Sequence, residues 1–246
     1  MGVPKGLDKA VYGFMPLRSG SKGIPGKNWA NLAGKPLCMW GLSQLCKVDS
    51  KLVYAAVEDL EGEYFEGVWM FVRSPESATD DESPEVVINE WIEAISKEPQ
   101  HEPPDDAIFL YTQATNPWVT ADDFKRAIEL LQKADDPDGY VVGAAKITPY
   151  VYRQAGAHFE PYPMFDTKDR GNRQESKPFL KENGSIYCTT IGALKRNGTH
   201  KGKLVGIVEM PEYTALEIDE PHHLVMARAL CEHYQCTPTQ IRRHIR

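Results

Sequence analysis

Residues 18–28 read Arg18-Ser-Gly-Ser-Lys-Gly-Ile-Pro-Gly-Lys-Asn28, between the apolar run Val11–Leu17 and a segment of helical period that opens at Pro36. Two properties of this stretch belong to a site for a polyanion. Gly20, Gly23 and Gly26 lack a Cβ, so the chain turns tightly and presents its N–H groups. Arg18, Lys22 and Lys27 supply positive charge, and the Arg18 guanidinium forks onto paired phosphate oxygens. Two familiar phosphate loops are excluded. The pattern G-x-x-x-x-G-K-[ST] has Ser21 where its first Gly belongs and Asn28 in place of its Ser or Thr, and the glycine spacing G-x-x-G-x-x-G is not that of G-x-G-x-x-G.

Working outward, apolar runs alternate with helix-period segments. Val11–Leu17, Leu52–Val57, Val68–Arg73, Ala107–Gln113, Tyr140–Ile147, Ser185–Thr190 and Leu204–Val208 read as strands. Pro36 and Pro84 suit first helical turns, followed by apolar faces at Leu37, Trp40, Leu42, Leu45 and at Val87, Trp91, Ile92, Ile95. Thr120-Ala-Asp-Asp123 is a capping-box start for a helix through Leu131, and a last helix runs from near Asp219 towards Tyr234. This order predicts an α/β fold, a mostly parallel sheet with helices on both faces, and ligands beyond the carboxyl ends of the strands. Residues 149–182, rich in proline, aromatic and polar side chains, break the alternation and read as an excursion used as a lid or for a partner subunit.

A chain of 246 residues suits one such domain, taken here as 1–246. Lys and Arg number 28 against 35 Asp and Glu, and the net charge of −7 excludes an extended nucleic-acid face and leaves the positive charge of residues 18–28 local. The five cysteines, Cys38, Cys46, Cys188, Cys231 and Cys236, contain no C-x-x-C pair and predict reduced thiols rather than a zinc site or disulfide framework. No apolar signal region or membrane-length run is present, so a cytoplasmic location without membrane attachment is expected.

The segment Met15-Pro-Leu-Arg-Ser-Gly-Ser-Lys-Gly-Ile-Pro-Gly-Lys-Asn28, followed by Leu32-Ala-Gly-Lys-Pro-Leu37, resembles the signature of the acylneuraminate cytidylyltransferases. Four more segments match in order. Arg73-Ser-Pro-Glu-Ser-Ala-Thr-Asp80 resembles R-P-x-E-L-A-x-D, and Leu110-Tyr-Thr-Gln-Ala-Thr-Asn-Pro117 resembles L-x-Q-P-T-S-P. Glu182-Asn-Gly-Ser-Ile-Tyr187 is similar to E-N-G-A-I-Y, and Leu216-Glu-Ile-Asp219 to I-D-I-D. The likeness covers roughly residues 11–230. It implies a Rossmann-like, homodimeric nucleotidyltransferase that joins CTP to a 3-deoxy-2-keto sugar acid, with residues 149–182 reaching towards the partner's active site. By position, Arg18, Ser21, Lys22 and Lys27 would hold the triphosphate, while Asn28 and Arg73 would help fix the cytidine. Gln113, Arg173, Gln174 and Asn183 would face the sugar acid, and Asp219 with Glu217 would bind Mg²⁺.

The residue chemistry stands beside that division. Phosphoryl-type transfer asks mainly for positioning and charge stabilisation, and Mg²⁺ takes one or two carboxylates together with phosphate oxygens. Glu217 and Asp219, two apart, point to one side of an extended segment, although Asp219 also suits the N-cap of the last helix. The chain departs from the family at Glu217, where Asp is usual, at His223, where an acidic residue is common, at Val119, where Arg is frequent, and at Ala56-Val-Glu58, where S-T-D is usual. These departures leave the acceptor open. A Kdo-like acid, a phosphonate and a catalytically weak CTP-binding role stay as alternatives.

Overall fold

The computed structural model describes residues 9–60, 65–79, 82–97, 102–148, 152–161 and 178–234. In chain order these form β1 (Val11–Pro16), β2 (Asn31–Leu32), β3 (Lys35–Pro36), α1 (Leu37–Leu45), β4 (Leu52–Val57), β5 (Trp69–Val72), α2 (Pro84–Ser96), β6 (Ile108–Tyr111), α3 (Ala121–Ala134) and β7 (Gly139–Ile147). They continue with β8 (Tyr152–Ala155), β9 (His158–Pro161), β10 (Phe179–Thr190), α4 (Ile191–Asn197), β11 (Lys203–Met210) and α5 (Pro221–Tyr234). Seven strands make one sheet in the order β11-β7-β10-β6-β1-β4-β5. All neighbours in it are parallel except β10, which runs antiparallel to both β6 and β7. The expected mostly parallel α/β sheet is therefore the fold.

Side-chain alternation along the central strands assigns the two faces. Val11, Met15, Ile108 and Leu110 pack with Leu42 and Leu45 of α1 and Phe124 and Ile128 of α3. Tyr12, Phe14, Phe109 and Tyr111 point the other way, onto Val87, Ile88 and Trp91 of α2 and Ile191 and Leu194 of α4. Helix starts follow from local chemistry. Thr120 and Asp123 form the expected capping box of α3, and the Thr190 hydroxyl accepts the Ala193 N–H at 3.1 Å to begin α4. A third apolar cluster joins Ile24, Leu32, Leu37, Trp40, Trp118, Ile218 and Leu224, so the residue 18–28 loop and α5 share one small core. Among the described residues no helix is long and apolar enough to cross a membrane.

The boundary of the excursion is corrected. Phe179–Glu182, expected inside it, belong to β10 and pair with Ile147–Ala144 of β7. They carry no apolar alternation, because Leu180, Lys181 and Glu182 face solvent, and a strand exposed on both sides leaves no period in the sequence. Before it lies the hairpin β8–β9, turned at Gly156 with φ +64°. Residues 149–151 and 162–177 lie outside the described residues. The helix α4 also escaped sequence reading, since seven residues are too few to show a helical period.

His200, 2% exposed, packs edge-on against the rings of Tyr111 and Tyr187, with Nδ1 3.3 Å from Glu85 Oε1. Burial, only partly offset by the Glu85 carboxylate, pushes the imidazole down to about 4. A lowered folded value means the unfolded chain takes the proton first as pH falls below its ordinary range. Folded stability is therefore undiminished above about pH 6.5 and declines towards pH 5 with a slope of up to about 1.4 kcal/mol per pH unit from this group. Urea titrations at pH 7 and pH 5 check this: replacing His200→Gln removes that part of the pH-dependence, and an unchanged difference between the two pH values would exclude it.

Candidate active site

Because β1, β4, β5 and β6 are parallel, the segments that follow them, at Arg18, Glu58, Arg73 and Gln113, emerge along one edge of the sheet. β10 arrives at the same edge from the opposite direction, and the Gln113 N–H donates to the Gly184 carbonyl at 3.2 Å. The chain after β11 returns across this edge, where Ile218 N–H donates to Thr115 O at 2.8 Å. Buried Asn116 ties the three segments: its amide nitrogen donates to Asn183 O at 2.8 Å and to Thr214 O at 2.7 Å. Between them lies a cleft of about 300 Å³, lined among others by Arg18, Lys27, Asn28, Arg73, Gln113, Glu217 and Asp219.

The glycine-rich loop is held by its own backbone. Gly26 takes φ +61° and opens a single 3-10 turn at Lys27–Trp29. Asn28 is buried and its amide donates to Arg18 O at 2.8 Å, closing the loop on itself. Gly23 lies so close to the chain at Asp219 that a Cβ would stand 2.1 Å from the Asp219 carbonyl oxygen. Lys27 Nζ then meets Asp219 Oδ1 at 2.9 Å, and Arg18 Nη1 donates to Thr79 O at 3.2 Å. Lys22 is exposed and Ser21 half-buried on the same loop, and neither lines the cleft.

The other expected residues fall into three groups. Arg73 is 7% exposed and lines the cleft, its Nε donating to Ser77 Oγ at 3.3 Å. Burial draws its guanidinium below the usual value, Glu58 and Glu90 oppose that, and Arg18 adds to it. Gln113 and Glu217 both crowd the bare Cα of Gly184, whose φ of +67° suits glycine. Asn183 is fully buried instead: Nδ2 donates to Thr214 Oγ1 at 3.1 Å and Oδ1 accepts from Ser185 Oγ at 2.6 Å, so its side chain braces β10 rather than the cleft wall. Arg173 and Gln174 lie outside the described residues.

The donor set at residues 217–219 fits a hard cation held jointly with a substrate. Burial raises the Glu217 carboxyl, with Lys181 opposing and Asp219 adding to the rise. A cation beside the pair relieves that cost, and the Lys27 ammonium already sits where Asp219 accepts positive charge. Among the described residues no group of three or more His, Cys, Asp or Glu gathers for a metal. The chain thus offers two carboxylates, the number Mg²⁺ takes when phosphate oxygens and waters complete its shell.

Sequence reasoning missed three supports. Glu58 accepts the Ser19 N–H at 2.8 Å and the Ser19 hydroxyl, fixing the start of the loop. Glu90 gathers Ser74 and Ser77 behind Arg73. His223 Nδ1 accepts the N–H groups of Asp219 at 3.3 Å and Glu220 at 3.2 Å, reaching back from the first turn of α5 to the residues before it. Glu58 and Glu90 carry no local signal, since each acts across a loop whose path is set by the fold, whereas His223 lies three and four residues from its partners. Trp118 is fully buried, donating to Leu216 O at 3.0 Å, and Trp29 stacks on Phe65 at 5.7 Å, so both serve packing.

The Gly23 contact generates a test. In Gly23→Ala the added methyl displaces the loop from Asp219, and overpacking of this kind costs about 1–3 kcal/mol, which in affinity is about 5- to 150-fold. Calorimetric titration with tripolyphosphate should show that weakening. Unaltered affinity would mean that the loop binds anions without its seat on Asp219.

A sequence model described as cytidylyltransferase matches residues 13–183. The chain is 30% identical over 230 residues to the N-acylneuraminate cytidylyltransferase of Oncorhynchus mykiss, covering 88% of this chain and 50% of that protein. It is 29% identical over 201 residues to the CMP-N,N'-diacetyllegionaminic acid synthase of Legionella pneumophila, covering 76% of this chain and 81% of the relative. It thus spans about half the length of the fish relative and most of the bacterial one. In fold it is similar to a solved CMP:2-keto-3-deoxy-manno-octonic acid synthetase complexed with CTP, at TM-score 0.59 and 19% identity, covering 92% of this chain and 99% of the other. With the family match spanning more than half of its residues, the chain belongs to the cytidylyltransferase family.

Proposed function

We propose that this chain transfers CMP from CTP to the anomeric hydroxyl of a 3-deoxy-2-keto sugar acid of the sialic or nonulosonic type and releases pyrophosphate. One observation carries the reading: Arg18 and Lys27 face Glu217 and Asp219 across a single cleft at the carboxyl edge of the sheet. The names of the fish and bacterial relatives, both CMP-transferring to acids of this type, support the acceptor class.

In the reaction the anomeric oxygen forms a bond to the α-phosphorus, the bond to the α–β bridging oxygen breaks, and pyrophosphate leaves with that electron pair while the hydroxyl proton is released. Such a displacement needs alignment and charge stabilisation more than covalent chemistry. Arg18 and Lys27 draw the β- and γ-phosphates to the loop, with Ser21 and Lys22 beside them, and hold the leaving group as charge grows on it. Asn28 keeps the loop closed and Arg73 engages the nucleoside. Gln113 orients the acid, joined by Arg173 and Gln174. Glu217 and Asp219 would hold Mg²⁺, which when bound neutralises phosphate charge. The protein is proposed to work in the cytoplasm as a single-domain homodimer, with the hairpin segment towards the partner.

The direct test is pyrophosphate release from CTP and Mg²⁺ with N-acetylneuraminate, Kdn, Kdo, legionaminate and pseudaminate offered separately. Release with one acid establishes the reaction and names the acceptor; CTP binding with no release from any would favour a binding role. Lys27→Ala should lower turnover by roughly 100-fold or more, as loss of a charge-stabilising group does, with thermal unfolding little changed. Near-normal turnover in that variant would remove the loop from the mechanism.

A further inference from the structure

A carboxylate outside the lining of the cleft gathers the segment carrying Arg73. Glu90 projects from α2 between the buried positions Val87, Ile88 and Trp91. Its Oε2 accepts the Ser74 N–H at 3.2 Å and the Ser77 hydroxyl at 2.8 Å, and its Oε1 accepts the Ser74 hydroxyl. Ser74 Oγ in turn accepts the Ser77 N–H at 3.2 Å, and Ser77 Oγ accepts Arg73 Nε at 3.3 Å. Ser77 is 1% exposed and Arg73 7%, so the arginine end of this chain of bonds is shielded from water while Ser74 and Glu90 are half-buried, and each link constrains the next.

Such an arrangement exceeds what a turn requires. A short turn at Glu76–Ala78 is closed by its own backbone, the Ala78 N–H donating to Pro75 O at 3.2 Å. The carboxylate adds charge-assisted bonds to two hydroxyls and fixes the hydroxyl that holds the arginine. Hydrogen bonds from Ser74 and Ser77, aided by the Arg73 guanidinium, overcome burial and keep the Glu90 carboxyl below its ordinary range, so it stays ionised at neutral pH.

We infer that Glu90, acting through Ser77, is a positioning residue that sets the Arg73 guanidinium against the nucleoside half of the nucleotide, apart from the triphosphate. The inference rests on the proposed CTP reaction. The separation of roles follows from strand order. Arg73 follows β5, and the phosphate loop follows β1, two strands away or roughly 10 Å at the usual strand spacing. An extended nucleotide along the carboxyl edge meets the two sites with different parts. The buried arginine, its Nε occupied by Ser77, has one orientation to offer, which suits carbonyl and ring-nitrogen acceptors of a base better than a mobile phosphate.

The experiment compares two probes on the full chain with Mg²⁺ present: CTP, and tripolyphosphate, which has no nucleoside. Glu90→Gln swaps an acceptor for a donor against the serines, and it should weaken CTP about tenfold or more by calorimetry, with tripolyphosphate affinity within about twofold of wild type. Ser77→Ala should act in the same direction. In an Arg73→Lys background, Glu90→Gln should add no more than about twofold, because both changes disable one unit. CTP affinity within twofold of wild type in Glu90→Gln, equal weakening of both probes, or full additivity on Arg73→Lys would each overturn the inference. If Glu90→Gln lacks a cooperative thermal transition, Ser77→Ala decides the matter, since it removes the Arg73 contact and leaves Glu90 bound to Ser74. Failure of the wild-type chain to bind CTP would sink the proposed reaction and this inference together, whereas wild-type binding with unaffected variants would sink the inference alone.

Discussion

Everything at this site depends on the contact between two backbone segments almost two hundred residues apart, Gly23 against the Asp219 carbonyl. The ion pair beside it, Lys27 to Asp219 at 2.9 Å, is half open to water on the carboxylate side and adds little stability by itself. What brings the charges together is the apolar cluster beneath them. Ile24 from the loop, Leu37 and Trp40 from α1, and Ile218 and Leu224 around the start of α5 bury one another. Packing there fixes where a cation-bearing loop and a carboxylate-bearing segment meet, and a side chain at position 23 would hold them apart.

The same economy shapes the electrostatics. A cleft for a polyanion must gather cations, and cations gathered with nothing behind them repel one another and lose hydration. Here Arg73 and Lys27 are backed. Arg73 feels both Glu58 and Glu90, Lys27 is paired with Asp219, and Ser19 is drawn onto Glu58 so that the turn leaving β1 keeps its path. The acidic excess of the chain therefore coexists with a local positive wall. Acidic groups stand behind that wall and beside it.

The sequence carried much of this openly. β1, β4, β6 and the capping box of α3 were legible because each is defined by residues adjacent in the chain: an apolar run, or Thr120 with Asp123 three positions on. The glycine spacing of residues 18–28 marked a tight loop leaving β1 for the same reason. The antiparallel entry of β10 was hidden, since Leu180, Lys181 and Glu182 are exposed and leave no alternation to read. Also hidden was the inward turn of Asn183, which a motif places near the site while the fold spends its amide on Thr214 and Ser185. Glu58 and Glu90 were out of reach because their partners lie on other loops, and nothing local marks a carboxylate as spoken for.

His223 shows how the geometry can absorb a departure from the family pattern. An acidic residue is common at that place, and an acid one turn into α5 has two tasks available to it, accepting the backbone N–H groups at the helix start and adding negative charge near Asp219. The imidazole Nδ1 performs the first task, taking the Asp219 and Glu220 amides, and an imidazole supplies no negative charge for the second. The backbone of Asp219 keeps its support while this position adds no carboxylate to those of Glu217, Asp219 and Glu220. With Glu217 already raised by burial and by its neighbour, a third carboxylate would add to that repulsion. Histidine at this position thus fits a site in which the basic loop meets the carboxylates of Glu217 and Asp219 without a further acid beside them at residue 223.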